Sequence, residues 1–319
     1  MSQRRFPGIH AVLYALFDAE EKLDRGAMRQ QVETCIKAGV DGIVVLGLAT
    51  EVAKLTEAER RQLIAWAADD IAGRVPLGVT IYGNSVQEQL LLVHAAEAAG
   101  AGWLIVQPPS LGSYPAAELL RAYGRIADAA SVPVGIQNAP ALMGQALGVE
   151  GIAALITAHP NITHLKAEMP VVQLRRVIEA GGDQLTVLNG QAGLEMIDSL
   201  RAGCRGFVLA PDMVDHAVRI WRLWQAGDEA GADEAYRLIL PEIVFVMRGI
   251  EHLVAYGKRI FGSRAGLQAH ERAPCEPVTA FGLACAARYA SRLGPFGSGT
   301  GLATEVAAPR RVGQTSPTC

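Results

Sequence analysis

Most features that would commit this 319-residue chain to a specialised class are missing from it. Its five cysteines (35, 204, 275, 285 and 319) are scattered, odd in number and form no C-x-x-C pair. They therefore read neither as a disulfide framework nor as a zinc site. A surplus of one charge is also lacking: 29 basic and 32 acidic residues leave a net charge of -3. No basic run, Arg4-Arg5 and Arg310-Arg311 included, exceeds two residues. Phosphate binding needs a concentrated cationic face, so nucleic acid is excluded as a partner. No apolar stretch approaches the roughly 18 residues that span a bilayer, and no membrane association is expected. The run Ala11–Phe17 after Arg4-Arg5 is short for an export signal and passes directly into Asp18, Glu20 and Glu21. A cytoplasmic location is the expectation. The seven histidines include no H-x-x-x-H pair, there is no G-x-S-x-G elbow, and Gly257-Lys258 is followed by Arg259 with no phosphate loop before it. Neither a metal nor a cofactor is expected. Lysine is scarce as well: Lys22, Lys37, Lys54, Lys166 and Lys258 are the five amines available for covalent chemistry.

What is present is a regular beat. Half of the residues are hydrophobic and 19% are charged, ample for a large core and wrong for a disordered chain. Eight short runs rich in Val, Ile and Leu read as strands: His10–Leu16, Gly42–Leu46, Leu77–Ile81, Trp103–Gln107, Val134–Gln137, Ile162–Lys166, Leu185–Leu188 and Gly206–Leu209. Most are apolar throughout, as parallel strands buried on both faces are. Stretches of helical spacing lie between them. Thr56-Glu-Ala-Glu59 and Ser85-Val-Gln-Glu88 read as capping boxes. The Ala-Gly pairs at 38–39, 99–100 and 202–203 read as helix ends.

Eight such units in about 220 residues predict a (β/α)8 TIM barrel. A doubly wound sheet would offer a glycine-rich loop after its first strand, and Phe17-Asp18-Ala19 is not one. The expected division is a barrel over 1–226, a helical extension over 227–293 and a flexible tail over 294–319. Within the extension, Glu242–Phe261 and Val278–Leu293 are the predicted helices. The hexapeptide Gly47–Val52 recurs as Gly301–Val306, with no period to support a repeat architecture.

Active sites of such barrels lie at the C-terminal ends of the strands. Four of the lysines fall in loops or helices, where lysine is normally a solvated charge. Lys166 instead closes the run Ile162-Thr-His-Leu-Lys166. A partly desolvated amine there can attack a carbonyl, or it can be a structural lysine paired to a carboxylate. Glu168 shares its strand face by alternation, as catalytic partner or as salt bridge. His164 falls one layer deeper and reads as a hydrogen-bonded core residue. In Gly47-Leu-Ala-Thr-Glu51, backbone N–H groups and Thr50 can meet a carboxylate, or the loop is an ordinary connection. Gln137-Asn138-Ala-Pro140 ends its strand in amides, which bind polar groups but do not titrate.

These pieces, in this order, resemble the dihydrodipicolinate synthase/N-acetylneuraminate lyase family over about residues 8–293. Gly47–Glu51 stands where that family has G-T-T-G-E, Gln137–Pro140 where it has Y-N-x-P, and Lys166 where it has its Schiff-base lysine. Asn189-Gly190 matches the glycine after the seventh strand. The departures are Leu48 and Ala49 for two threonines, Gln137 for the proton-relaying tyrosine, and Ser110 for a tyrosine that reaches a neighbouring subunit. Ala167 replaces the usual glutamate, with Glu168 one place later. Gln137 and Lys166-Ala-Glu-Met-Pro170 are similar to the branch containing L-2-keto-3-deoxyarabonate dehydratase.

The resemblance implies a metal-independent, Schiff-base-forming lyase acting on a small 2-keto acid, with dehydration of a 2-keto-3-deoxy sugar acid favoured. A pyruvate-using synthase or aldolase is the alternative, and a keto-acid-binding barrel without turnover is the second. Lys166 and Glu168 are the expected catalytic residues. Leu48, Ala49, Thr50, Ser110, Gln137, Gly190 and Val208 are the expected substrate contacts. The resemblance also implies a homotetramer, with weak support from apolar residues at Leu111, Tyr114, Phe245 and Met247.

Overall fold

The computed structural model describes residues 5–110 and 112–297. Leu111, most of the predicted tail and the second copy of the hexapeptide lie outside them. Eight parallel strands close into a barrel in sequence order: β1 Gly8–Val12, β2 Gly42–Val45, β3 Leu77–Ile81, β4 Trp103–Val106, β5 Val134–Asn138, β6 Ile162–Ala167, β7 Thr186–Asn189 and β8 Gly206–Leu209. Every strand residue is buried, as the near-continuous apolar runs require. The surrounding helices are α1 Arg25–Ala38, α2 Glu57–Ile71, α3 Val86–Ala98, α4 Ala116–Ala129, the single turn α5 Pro140–Met143, α6 Val149–Ala158, α7 Val171–Gly181, α8 Met196–Ala202 and α9 Val214–Gln225.

The first strand differs from the sequence reading. It begins two residues earlier, at Gly8, and the apolar segment Leu13–Phe17 continues as buried loop. The reason lies at the seam where β1 pairs with β8. Gly8 and Gly206 are direct partners there, at φ +108° and +148°. A Cβ on Gly206 would overlap the Gly8 backbone, so only glycine lets the first and last strands meet.

The caps follow local chemistry. Thr56 accepts from the Glu59 N–H at 3.2 Å and Glu59 reaches back to the Thr56 N–H at 2.9 Å, a complete capping box. At Ser85 only half of the predicted box forms, because Glu88 accepts from the Asn84 N–H at 2.8 Å. Gly39, Gly100 and Gly203 all take positive φ at helix ends.

Beyond α9 come α10 Glu229–Val246, the short α11 Ile250–His252, a π turn over Leu253–Gly257, α12 Lys258–Ala265 and α13 Ala280–Leu293. The single helix expected over Glu242–Phe261 is therefore broken around Met247–Gly249. The break brings Met247, Ile250 and Leu253 onto the barrel mouth. Among the described residues, no helix is long and apolar enough to cross a membrane.

Where α10 docks, Glu242 lies buried beside Asp212 in the turn after β8. Tyr14 donates to Asp212 at 2.8 Å, while Arg264 binds the Asp212 carbonyl and pairs with Asp215. Burial, and then repulsion from Asp212, push the Glu242 carboxyl well above its ordinary range. A carboxyl raised in the folded state is most stabilising below its ordinary pKa, and stability is lost as pH rises through the interval. Glu242→Gln keeps a neutral hydrogen-bonding group and removes that loss. The variant is expected to melt above the parent at pH 8. The two should coincide near pH 4, as thermal melts across this range will read.

Candidate active site

At the C-terminal mouth of the barrel, Lys166 Nζ lies 3.3 Å from Glu168 Oε1. Both side chains are only 6% exposed. Lys166 is the penultimate residue of β6, and Glu168 follows the strand while keeping the ladder, its N–H donating to the Asn138 carbonyl at 3.0 Å. Alternation therefore carries both side chains to one face, as the sequence spacing predicts. The pair closes one side of a small cavity of about 30 Å³, enough for a water or two. Leu48, Ala49 and Val208 line the same cavity, joined by Val12, Gln191 and Ala210. Met247, Ile250 and Leu253 form its roof.

The second oxygen of Glu168 is held by an amide. Gln137, the penultimate residue of β5, donates from Nε2 to Glu168 Oε2 at 2.7 Å. Gln107, directly after β4, donates to Gln137 Oε1 at 2.9 Å. Gly190 sits against the other side of the carboxylate, where a Cβ would overlap Glu168 Oε1. The Gln191 N–H approaches that oxygen at 3.5 Å. Glu168 thus faces the Lys166 nitrogen on one oxygen and an amide donor on the other, in a nearly dry pocket.

The loop after β2 is shaped by backbone strain. Leu46 and Glu51 adopt positive φ there, as do Gln191 and Ala192 in the loop after β7, and such residues cluster where loops shape a site. Glu51 is locked by Lys258 and by Lys54, the latter at 2.9 Å. Both lysines therefore depart from the solvated charges expected of them. Lys258 is 1% exposed, and burial pulls its pKa down against the opposing pull of Glu51. The sequence gives no sign of this, because Glu51 and Lys258 are 207 residues apart. The fixed loop presents the first two N–H groups of the turn Leu48–Thr50, which helical geometry leaves without internal partners.

Two expected substrate contacts are placed otherwise. The Thr50 hydroxyl donates to the Leu13 carbonyl at 2.6 Å and is fully buried, so it ties the loop to the segment after β1. Ser110 is exposed and bonded to Asn84, outside the cavity that holds Lys166. The Asn138 side chain is structural, bonding both backbone groups of Leu147 at 2.9 and 3.0 Å. His164 is the core residue expected of it. It accepts from the Phe6 N–H at 3.0 Å, and burial holds its pKa down at about 3. Of the apolar residues offered for subunit contact, Phe245 packs on Tyr256 and Tyr289, and Met247 faces the cavity.

The roof residues and Gln107 escaped the sequence reading. A roof built from a distant helical segment leaves no spacing signal. Gln107 left a faint one: neighbouring strands β4, β5 and β6 end in Gln107, Gln137 and the Lys166–Glu168 pair, a run of polar ends on adjacent staves.

Comparison with known proteins agrees with this fold. The L-2-keto-3-deoxyarabonate dehydratase of Azospirillum brasilense is 29% identical over 248 residues, 76% of this chain and 80% of that protein. YagE of Escherichia coli K12, provisionally named a 2-dehydro-3-deoxy-D-gluconate aldolase, is 30% identical over 244 residues, 74% of this chain and 80% of its own. The crystal structure of YagE with pyruvate superposes with a TM-score of 0.84 at 27% identity, covering 90% of this chain and 98% of that one. A 4-hydroxy-tetrahydrodipicolinate synthase of Methanoculleus marisnigri is 29% identical over 242 residues, 74% of this chain and 82% of that protein. The family profile described as the dihydrodipicolinate synthetase family matches residues 5–280. With the profile spanning nearly the whole barrel and its helical extension, the chain belongs to the dihydrodipicolinate synthetase family of lyases.

Proposed function

We propose that this protein dehydrates a small 2-keto-3-deoxy sugar acid through an iminium on Lys166. The observation that carries the reading is the buried Lys166–Glu168 pair at 3.3 Å, with Gln137 donating to the carboxylate. The Lys166 amine attacks the C2 carbonyl, and the carbonyl oxygen leaves as water. The iminium withdraws electrons from C3, so Glu168 can remove a C3 proton and leave an enamine. The enamine expels the C4 hydroxyl, which takes a proton from the now protonated Glu168 and departs as water. Hydrolysis of the remaining iminium restores Lys166, and the balance is loss of one water from the substrate. The N–H groups of Leu48 and Ala49 would receive the substrate carboxylate.

Carbon–carbon cleavage is the second reading, favoured by the likeness to YagE. It needs a titratable relay where this chain carries Gln137, and an amide cannot serve. The assembly proposed with either reading is a homotetramer in the cytoplasm, for which the exposed Phe281 of α13 and Tyr114 before α4 offer apolar surface. The test is a panel of 2-keto-3-deoxy acids followed by mass spectrometry. Loss of one water from at least one acid is expected. Release of pyruvate instead would establish the aldolase reading, and absence of any turnover alongside binding would establish an inert keto-acid barrel.

A further inference from the structure

We infer that Gln107 is a positioning residue that sets Glu168 as a base by fixing which end of the Gln137 amide faces it. The inference rests on the iminium reading above and assigns a part to a residue that touches neither Lys166 nor Glu168.

A glutamine amide has an oxygen end and an NH2 end of nearly equal size, and only hydrogen bonding distinguishes them. With its NH2 toward Glu168, Gln137 stabilises the carboxylate. Turned over, it would set an oxygen lone pair against Glu168 and favour the protonated acid. The choice is made one strand away. Gln107 Nε2 donates to Gln137 Oε1 at 2.9 Å, which leaves Gln137 Nε2 to donate to Glu168 Oε2 at 2.7 Å. Gln107 is held in turn by Gln89 of α3, whose Nε2 donates to the Gln107 carbonyl at 2.8 Å. Gln89, Gln107 and Gln137 are each 1% exposed, so water does not compete to reorient them. The side-chain donors run one way, from Gln107 through Gln137 to the carboxylate, while Gln89 anchors the Gln107 backbone. Lys166 occupies Oε1 and leaves Oε2 to this chain. Lone amides at two strand ends would be unremarkable; a directed pair ending on the carboxylate beside the only buried amine of the cavity is not.

The test uses pyruvate, whose C3 protons exchange with deuterium when an enzyme base acts on its iminium. Wild-type protein in D2O is expected to exchange them, with an acid limb in the pH profile reporting Glu168. Gln107→Met removes the donor at similar length. It should still form the borohydride-trapped pyruvate adduct, while its acid limb moves up by about one pH unit and exchange below the limb slows about tenfold. Gln107→Glu substitutes an acceptor of the same shape and should move the limb at least as far. It also carries the test if the methionine variant fails to fold. Trapping and exchange by the wild type, with the same limb in the foldable variants, would overturn the role of Gln107 alone. Wild-type protein that traps no pyruvate would overturn the iminium reading, and this assignment with it.

Discussion

Lys166→Ala is expected to abolish the borohydride-trapped adduct completely. In the parent protein, borohydride with pyruvate should add the reduced adduct mass to the peptide containing Lys166, and to no other. Of the five lysines, Lys166 alone lines the cavity at the barrel mouth. Lys258 is as deeply buried but is bound to Glu51 and stacked at 5.1 Å over the Phe17 ring, which denies it a carbonyl partner. Lys54 is shared between Glu51 and Glu251. The variant should remain folded, because Lys166 faces a cavity and Glu168 keeps its bond from Gln137. Circular dichroism and a melting curve will check that. An adduct on Lys54 or Lys258 would refute the assignment.

Glu168→Gln should separate capture from turnover. Iminium formation needs the amine and the carbonyl, so trapping should survive. Removing the C3 proton and protonating the C4 hydroxyl need a group that gains and loses a proton, which glutamine cannot do. Turnover of the identified substrate should fall by about two to four orders of magnitude, the usual worth of general acid–base catalysis. The carboxylate position makes the loss specific. Its oxygens are held by Lys166 and Gln137, and only glycine at position 190 leaves the carboxylate room to sit there. Near-normal turnover in this variant would reduce Glu168 to an ion-pair partner of Lys166 and place the proton carrier elsewhere.

The barrel was legible because eight apolar runs separated by helical spacing have few other ways to be buried. The strand ends also located Lys166 and Glu168, since alternation along one strand is enough to bring them to one face. Thr50 and Ser110 show where that logic stops. Each stands in a loop, where position in sequence says nothing of side-chain direction, and nearby polar atoms of Leu13 and Asn84 claim their hydroxyls. Lys258 fails as a sequence reading for another reason, and Glu242 went unread for the same one. Their environments are assembled from Glu51 and Asp212, remote in the chain, so a charge on a helix gave no warning of burial. The first strand was displaced because Leu13–Phe17 is as buried as a strand without being one. Burial, not strand geometry, governs that composition.

The glycine seam has a consequence for biosynthesis. Gly8 finds its partner only when Gly206 has been made, so a growing chain carries β1 with one edge unpaired through nearly 200 residues of translation. At about 5–20 residues per second this interval lasts on the order of 10 to 40 seconds. Throughout it the nascent polypeptide exposes an open, apolar stave to its neighbours on the same messenger, the circumstance in which edge-to-edge association competes with folding. Release of the finished barrel from that hazard therefore waits on the late pairing of β8 with β1, which opens on two residues that have no side chains.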